Sequence, residues 1–188
     1  MSTSPAASPR WTSVALLQCA AIGAIAAIVV VVLVPLTGTL ALASPLLYAL
    51  VAGVHAVGPM LALRWTRTPG AAILAAAIAG LLAAPFNGLG LLLAIALVAP
   101  AAALEAVLAL GRYRLDRPPL WYLGAATAGT VIFALSLLVI DEAILTPFMV
   151  WGTLVCRLLS YSVAAWVTVR LESALARAGT RRVLPRHH

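Results

Sequence analysis

Between Arg10 and Arg64 the chain carries no charged residue, and long apolar runs recur from there to its C-terminal region. Runs of this length and purity cannot be wrapped around a soluble core, because nothing polar remains to face water. They are the lengths that cross the hydrocarbon of a bilayer, about 20 residues each. Composition agrees: 64% of the residues are hydrophobic and 9% charged, where soluble domains run near half and a quarter. Lipid must therefore be the solvent, and 188 residues suffice for one bundle and no second folded domain.

Apolar runs read against polar breaks give six candidate spans, near 12–34, 45–63, 70–85, 89–110, 120–140 and 146–169. The first is expected to end at Pro35 and the Thr37-Gly38-Thr39 turn. The second opens on Ser44-Pro45, a cap followed by proline at the first helical position. The third is short for a bilayer, so either a full crossing or a re-entrant arm paired with the fourth is consistent with its length. The organisation expected is a disordered N-terminus over 1–10, a membrane domain over 11–170 and a basic tail over 171–188. The run beginning at Trp11 is longer than a signal-peptide core and is read as the first span. His187 and His188 are set aside, since a terminal His pair can derive from an expression tag.

All twelve cations are arginine, and the formal net charge is +7. Arg10 precedes the first span. Arg64 and Arg67 follow the second, Arg112, Arg114 and Arg117 the fourth, and Arg170, Arg177, Arg181, Arg182 and Arg186 the sixth. The loops near 35–44, 86–88 and 141–145 have none. Cations flank the cytoplasmic ends of spans, so both termini are expected in the cytoplasm. The arginines are scattered through short loops rather than gathered on a polar face with interleaved aromatics, which excludes nucleic acid as the expected partner. Trp65, Tyr113, Trp121, Tyr122 and Trp166 fall at the arginine-bearing span ends, where amphipathic rings anchor.

Small residues at four-residue spacing let membrane helices approach closely. Two such ridges line the third span, Ala71-Ala75-Ala79-Ala83 and Ala72-Ala76-Gly80-Ala84, which predicts a helix buried on much of its circumference. The first span carries Ala20-Ala24 and Cys19-Gly23-Ala27, a face for internal packing or for a partner helix. Cys19 and Cys156 lie within apolar runs without metal or disulfide spacing.

Three ionisable residues fall within spans: His55, Glu105 and Arg157. Such residues are costly in lipid and are functional candidates. A helical rise of 1.5 Å per residue puts His55 near the midplane, Glu105 deeper toward the arginine-bearing side, and Arg157 near the middle. Glu105 and Arg157 are predicted to pair, as a structural clamp or as a relay. Tyr48, His55, Asn87 and Trp151 would line a cavity on the arginine-free side, with Asp141 and Glu142 as loop acids or attractants for a cationic solute. For each the alternative is structural: satisfied histidine, interface anchor or turn residue. HExxH, GxSxG, Walker A and paired-Asp signatures are all missing, so no enzyme, cofactor or metal site is expected.

Three segments resemble a known family. Arg67-Thr68-Pro69-Gly70-Ala71-Ala72 resembles the (R/K)-x-P-G-A-A signature of YkoE-type substrate-binding subunits, the S components of energy-coupling-factor (ECF) transporters. Glu105-Ala106-Val107 through Arg112-Tyr113-Arg114 resembles that family's Glu…Arg-Tyr/Trp ending, and Cys156-Arg157-Leu158-Leu159-Ser160 its Arg-Leu-Ile-Ser. The resemblance covers about 65–170. It implies an all-α six-helix bundle in a bacterial cell membrane with cytoplasmic termini. Such a bundle captures a vitamin near the outer face and works with a transmembrane T component and two ATPase subunits. It implies docking of the T component on Ala20, Gly23, Ala24 and Ala27, and thiamine or its hydroxymethylpyrimidine precursor as substrate. The family's acidic residues in the third helix are replaced here by alanines, which weakens the thiamine assignment. The competing expectation is a stand-alone secondary transporter or channel.

Overall fold

The computed structural model describes residues 11–138 and 146–178, and these are helices and short connections with no strand among them. The termini, the acids Asp141 and Glu142, and Arg10, Arg181, Arg182, Arg186, His187 and His188 lie outside the described residues.

Helix α1 runs Ser13–Ala43, capped by Thr12, whose hydroxyl accepts from the Ala15 N–H at 3.1 Å. It does not stop at Pro35 as the sequence suggested. Backbone groups in hydrocarbon have no water to turn to, so continuing the helix is cheaper than unwinding it. Thr37 and Thr39 donate back to carbonyls one turn earlier (Leu33 at 2.9 Å and Leu36 at 2.9 Å) rather than forming a turn.

The second span is not one helix. Helix α2 (Pro45–Val51) and helix α3 (Val54–Thr66) are separated at Ala52–Gly53. Ser160 fills this break: its hydroxyl accepts from the Gly53 N–H at 2.8 Å and donates to the Leu50 carbonyl at 2.5 Å. A Cβ on residue 53 would overlap the Ser160 hydroxyl and carbonyl, so glycine is required for that approach. Helix α3 ends on Arg67 in the left-handed region (φ 53°), and Gly70 follows with φ 88°.

Helix α4 (Ala71–Ala83) continues into a 3₁₀ turn, Ala84–Phe86. Both alanine ridges are buried from end to end, Ala84 included. Helices α1, α3 and α5 (Leu92–Leu110) enclose it, and Gly80 packs so closely on Ala94 that a Cβ would overlap the Ala94 backbone. Helix α6 spans Pro118–Leu137 and helix α7 spans Pro147–Arg177, the latter capped by Thr146. Thus 171–177, expected in the tail, completes the last helix.

Neighbours pack in the cycle α1–α4–α5–α6–α7–α3 and back to α1, with α3 also touching α4 across the middle and α2 seated on α7. Among the described residues five segments are long and apolar enough to cross a membrane, and Ala71–Phe86 is a shorter apolar helix. The outward side chains are apolar, among them Leu17, Ile25, Val32, Leu92 and Val163. A belt of this kind is stable only against lipid. The chain is a multi-pass membrane protein, with Arg64, Arg67, Arg112, Arg114 and Arg117 gathered in the connections at one end.

Candidate functional site

Glu105 and Arg157, expected to pair, belong to two different clusters. The Glu105 carboxylate clasps the start of α4: it accepts from the N–H groups of Gly70 (2.5 Å), Ala72 (2.7 Å) and Ile73 (3.2 Å), and from the Tyr113 hydroxyl (3.1 Å). The first turn of a helix leaves N–H groups without partners and favours a negative charge. Four donors on one buried carboxylate satisfy both. Glycine at 70 is needed because its φ of 88° aims the N–H at the carboxylate. Burial, then the Glu105 charge and the hydrogen bond to it, push the Tyr113 phenol up to about 12.

Arg157 lies on α7 and is 2% exposed. Its guanidinium sits over the Tyr48 ring, 4.9 Å from the centroid, and Nη2 donates to the Ser136 hydroxyl at 3.2 Å. Nε is buried with no partner, and so is Nδ1 of His55 on α3. No carboxylate among the described residues forms an ion pair with Arg157; the described ion pairs are Glu172 with Arg64 (2.6 Å) and with Arg67 (3.8 Å). His55 and Tyr161 also line a central cavity with Met60, Pro100 and Leu104, whose free space of ≈ 10 Å³ accommodates about one water.

The other expected site residues are elsewhere. Trp151 is 67% exposed on the outside of α7, on an open surface shared with Leu46 and Phe148. Asn87 caps its own turn, its side-chain oxygen accepting from the Leu89 N–H at 2.9 Å. Of the proposed docking face, Gly23 and Ala27 are buried, Gly23 directly against Ala75 and Ile78 of α4, while Ala20 and Ala24 stay half-exposed. Trp121, expected as an interface anchor, is 1% exposed, because its indole N–H reaches the Ala165 carbonyl (3.3 Å) and Arg64 stacks on its ring (4.9 Å). Tyr122 and Trp166 remain outward as anchors.

Sequence reasoning missed Ser136 and Ser160. A serine inside an apolar run was the available signal, and in each case its partner comes from another helix.

Among the described residues the chain is an all-helical membrane bundle with a discontinuous second span and a short buried fourth helix. A solved structure described as the crystal structure of an S-component of ECF transporter shares this fold. The TM-score is 0.83 and the identity 22%, over 90% of this chain and 88% of that one. The chain belongs to the family described as ABC-type cobalt transport system, permease component, whose model matches residues 14–133. No curated protein matches it.

Proposed function

We propose that the chain is the substrate-capture subunit of an ATP-driven ECF importer for a small, neutral, vitamin-like heteroaromatic, of which hydroxymethylpyrimidine is the type. The carrying observation is two buried, unpartnered polar atoms: Nε of Arg157, whose guanidinium lies over the Tyr48 ring, and Nδ1 of His55, on the cavity that Tyr161 also lines. A buried polar atom without a partner is expensive. A ring nitrogen or hydroxyl of the substrate supplies that partner, and the aromatic rings supply stacking area.

Charge argues for the neutral pyrimidine over thiamine itself. The described fixed charge here is the Arg157 cation, and a thiazolium beside it would be repelled with little screening. A bare cobalt ion, which the family's description suggests, fits less well still. Among the described residues no three His, Cys, Asp or Glu converge, whereas transition metals take imidazole, thiolate or carboxylate sets.

The cavity is too small for a pyrimidine as it stands, so capture requires α2–α3 to move on α7. ATP hydrolysis in two partner ATPases, transmitted by a T component, drives that movement in this reading. Docking of the T component uses the Ala20 and Ala24 side of α1, which stays half-exposed beside the contact with α4. The arginine-rich end faces the cytoplasm.

The discontinuous second span favours one other reading, a self-sufficient carrier, since broken helices near mid-membrane are a device of secondary transporters. Two experiments separate these readings. Hydroxymethylpyrimidine and thiamine are titrated into the purified protein in nanodiscs, with the Arg157→Gln variant as control. The pyrimidine is expected to bind tighter, and the variant to lose about tenfold in affinity for one hydrogen bond to a charged donor. Tighter thiamine binding overturns the neutral-substrate reading. Uptake is then assayed with and without co-expressed T component and ATPases; uptake without them, and no complex with them, overturns the S-component reading.

A further inference from the structure

The connection between α5 and α6 gathers three arginines around one recess. Gly111 closes α5, and then Arg112 and Tyr113 both take left-handed backbone angles, φ 56° and 51°. Non-glycine residues adopt that conformation in succession only where the surroundings impose it. Here the Tyr113 N–H bonds the Leu108 carbonyl at 2.6 Å, and its hydroxyl is tied to Glu105. Leu115 is buried, and its carbonyl accepts from Arg64 at 3.3 Å. With Tyr113 and Leu115 fixed inward, Arg112, Arg114 and Arg117 line a recess of ≈ 310 Å³ together with Leu110, Gly111 and Leu120.

None of these three guanidiniums forms an ion pair with a described residue, although Asp116 is in the same connection. Four other described arginines differ: Arg64 and Arg67 meet Glu172, Arg157 meets Tyr48 and Ser136, and Arg170 stacks on Trp166, while Arg177 stands alone among the described residues at the end of α7. Helix α6 opens on Pro118-Pro119, which offer no N–H, so an anion in the recess is held by guanidinium. Guanidinium forks match phosphate oxygens in pairs. The recess also has an apolar rim: Leu110, the last residue of α5, is 88% exposed. The rim stands at the end of α5, and Tyr122, an aromatic of the kind found at headgroup level, is outward one turn into α6.

We propose that Arg112, Arg114 and Arg117 form a binding site for the phosphate of an anionic phospholipid, whose glycerol and upper acyl region lie against Leu110 and Leu120. Basic recesses at the ends of membrane helices take such headgroups. The apolar rim of Leu110 and Leu120 favours the lipid over free phosphate. The proposal is independent of which solute the protein carries.

The test uses the full chain in nanodiscs of phosphatidylcholine with phosphatidylglycerol, and counts lipid adducts by native mass spectrometry after release. Wild type is expected to retain phosphatidylglycerol over phosphatidylcholine. The triple variant Arg112→Gln, Arg114→Gln, Arg117→Gln is expected to lose about tenfold of that preference, as removal of several phosphate contacts does. The triple Arg→Lys variant preserves topogenic charge and controls for misinsertion; it is expected to keep only part of the preference, because ammonium lacks the paired geometry. Equal retention in wild type and the Gln variant overturns the proposal. Displacement by inorganic phosphate overturns the lipid assignment in favour of a soluble anion. Loss of T-component or ATPase binding by the Gln variant, without change in lipid retention, overturns it in favour of a protein contact.

Discussion

Glu105 illustrates how one buried charge is held without a counter-ion. Three backbone N–H groups and a phenol surround it, and hydrogen bonds to a charged acceptor are worth more than neutral ones. Glu105→Gln halves the acceptor capacity facing α4 and removes the charge, with an expected loss of about 2 kcal/mol in thermal unfolding. Tyr113→Phe removes one donor and is expected to cost about 1 kcal/mol. That second effect is pH-dependent. The native phenol is raised to about 12, against about 10 in an unfolded chain. Its contribution is therefore complete below pH 10 and is lost as pH rises toward 12. The advantage of wild type over Tyr113→Phe in detergent melting curves should disappear over that interval; a constant separation would show that burial and the Glu105 charge do not hold the phenol neutral. The sequence marked Glu105 and Arg157 as unusual and gave each an expected depth. It could not give azimuth: depth follows from the fixed rise of a helix, whereas the direction a side chain faces depends on how each helix is rotated against its neighbours.

At the scale of elements, the three motifs that carried the family resemblance are fold-holding devices. The first two meet: Gly70, Ala72 and Ile73 bond the carboxylate of Glu105, and Tyr113 closes the same cluster. The third segment secures the broken second span, Ser160 bonding both sides of the break and Arg157 stacking on Tyr48. The alanine ridges of α4 were legible because small residues at four-residue spacing have one main use in lipid, the close approach of helices. The break at Ala52–Gly53 was not, because local sequence there is apolar and helix-compatible. Its cause is a hydroxyl 107 positions away in the chain. Gly80 tests the ridge directly. Gly80→Leu drives a side chain into the Ala94 backbone and is expected to cost at least about 3 kcal/mol through displacement of α4 from α5. Unfolding in a denaturing detergent series should show it, and the exposed Gly38→Leu change, with open space around it, should leave stability nearly unchanged.

For the whole molecule, the short fourth helix becomes intelligible as the enclosed member of the cycle. At 1.5 Å per residue its 13 residues and the following turn of 3 cover about 24 Å, while α1 with 31 residues covers about 46 Å. A helix enclosed by α1, α3 and α5 has little lipid to match, so mismatch matters less for it than for its neighbours. Orientation rests on arginine placement: a fluorescent protein fused after residue 188 is expected to be bright in the cytoplasm, and export of an alkaline phosphatase fused there would reverse the assignment. The net-positive end also carries the Arg64–Glu172–Arg67 network, which joins α3 to α7 where the spans end. Hydropathy and arginine spacing were enough to determine that the chain is a membrane bundle, roughly where its spans lie, and which end differs electrically. Those properties are set by transfer free energies that each segment carries by itself. Tertiary structure alone decided that the second span is broken, that Trp151 and Asn87 leave the interior, that Gly23 and Ala27 serve α4, and that Glu105 holds a helix end while Arg157 meets Tyr48 and Ser136. Each of those depends on the rotation and close approach of helices distant in the chain, and no single segment encodes that contact by itself.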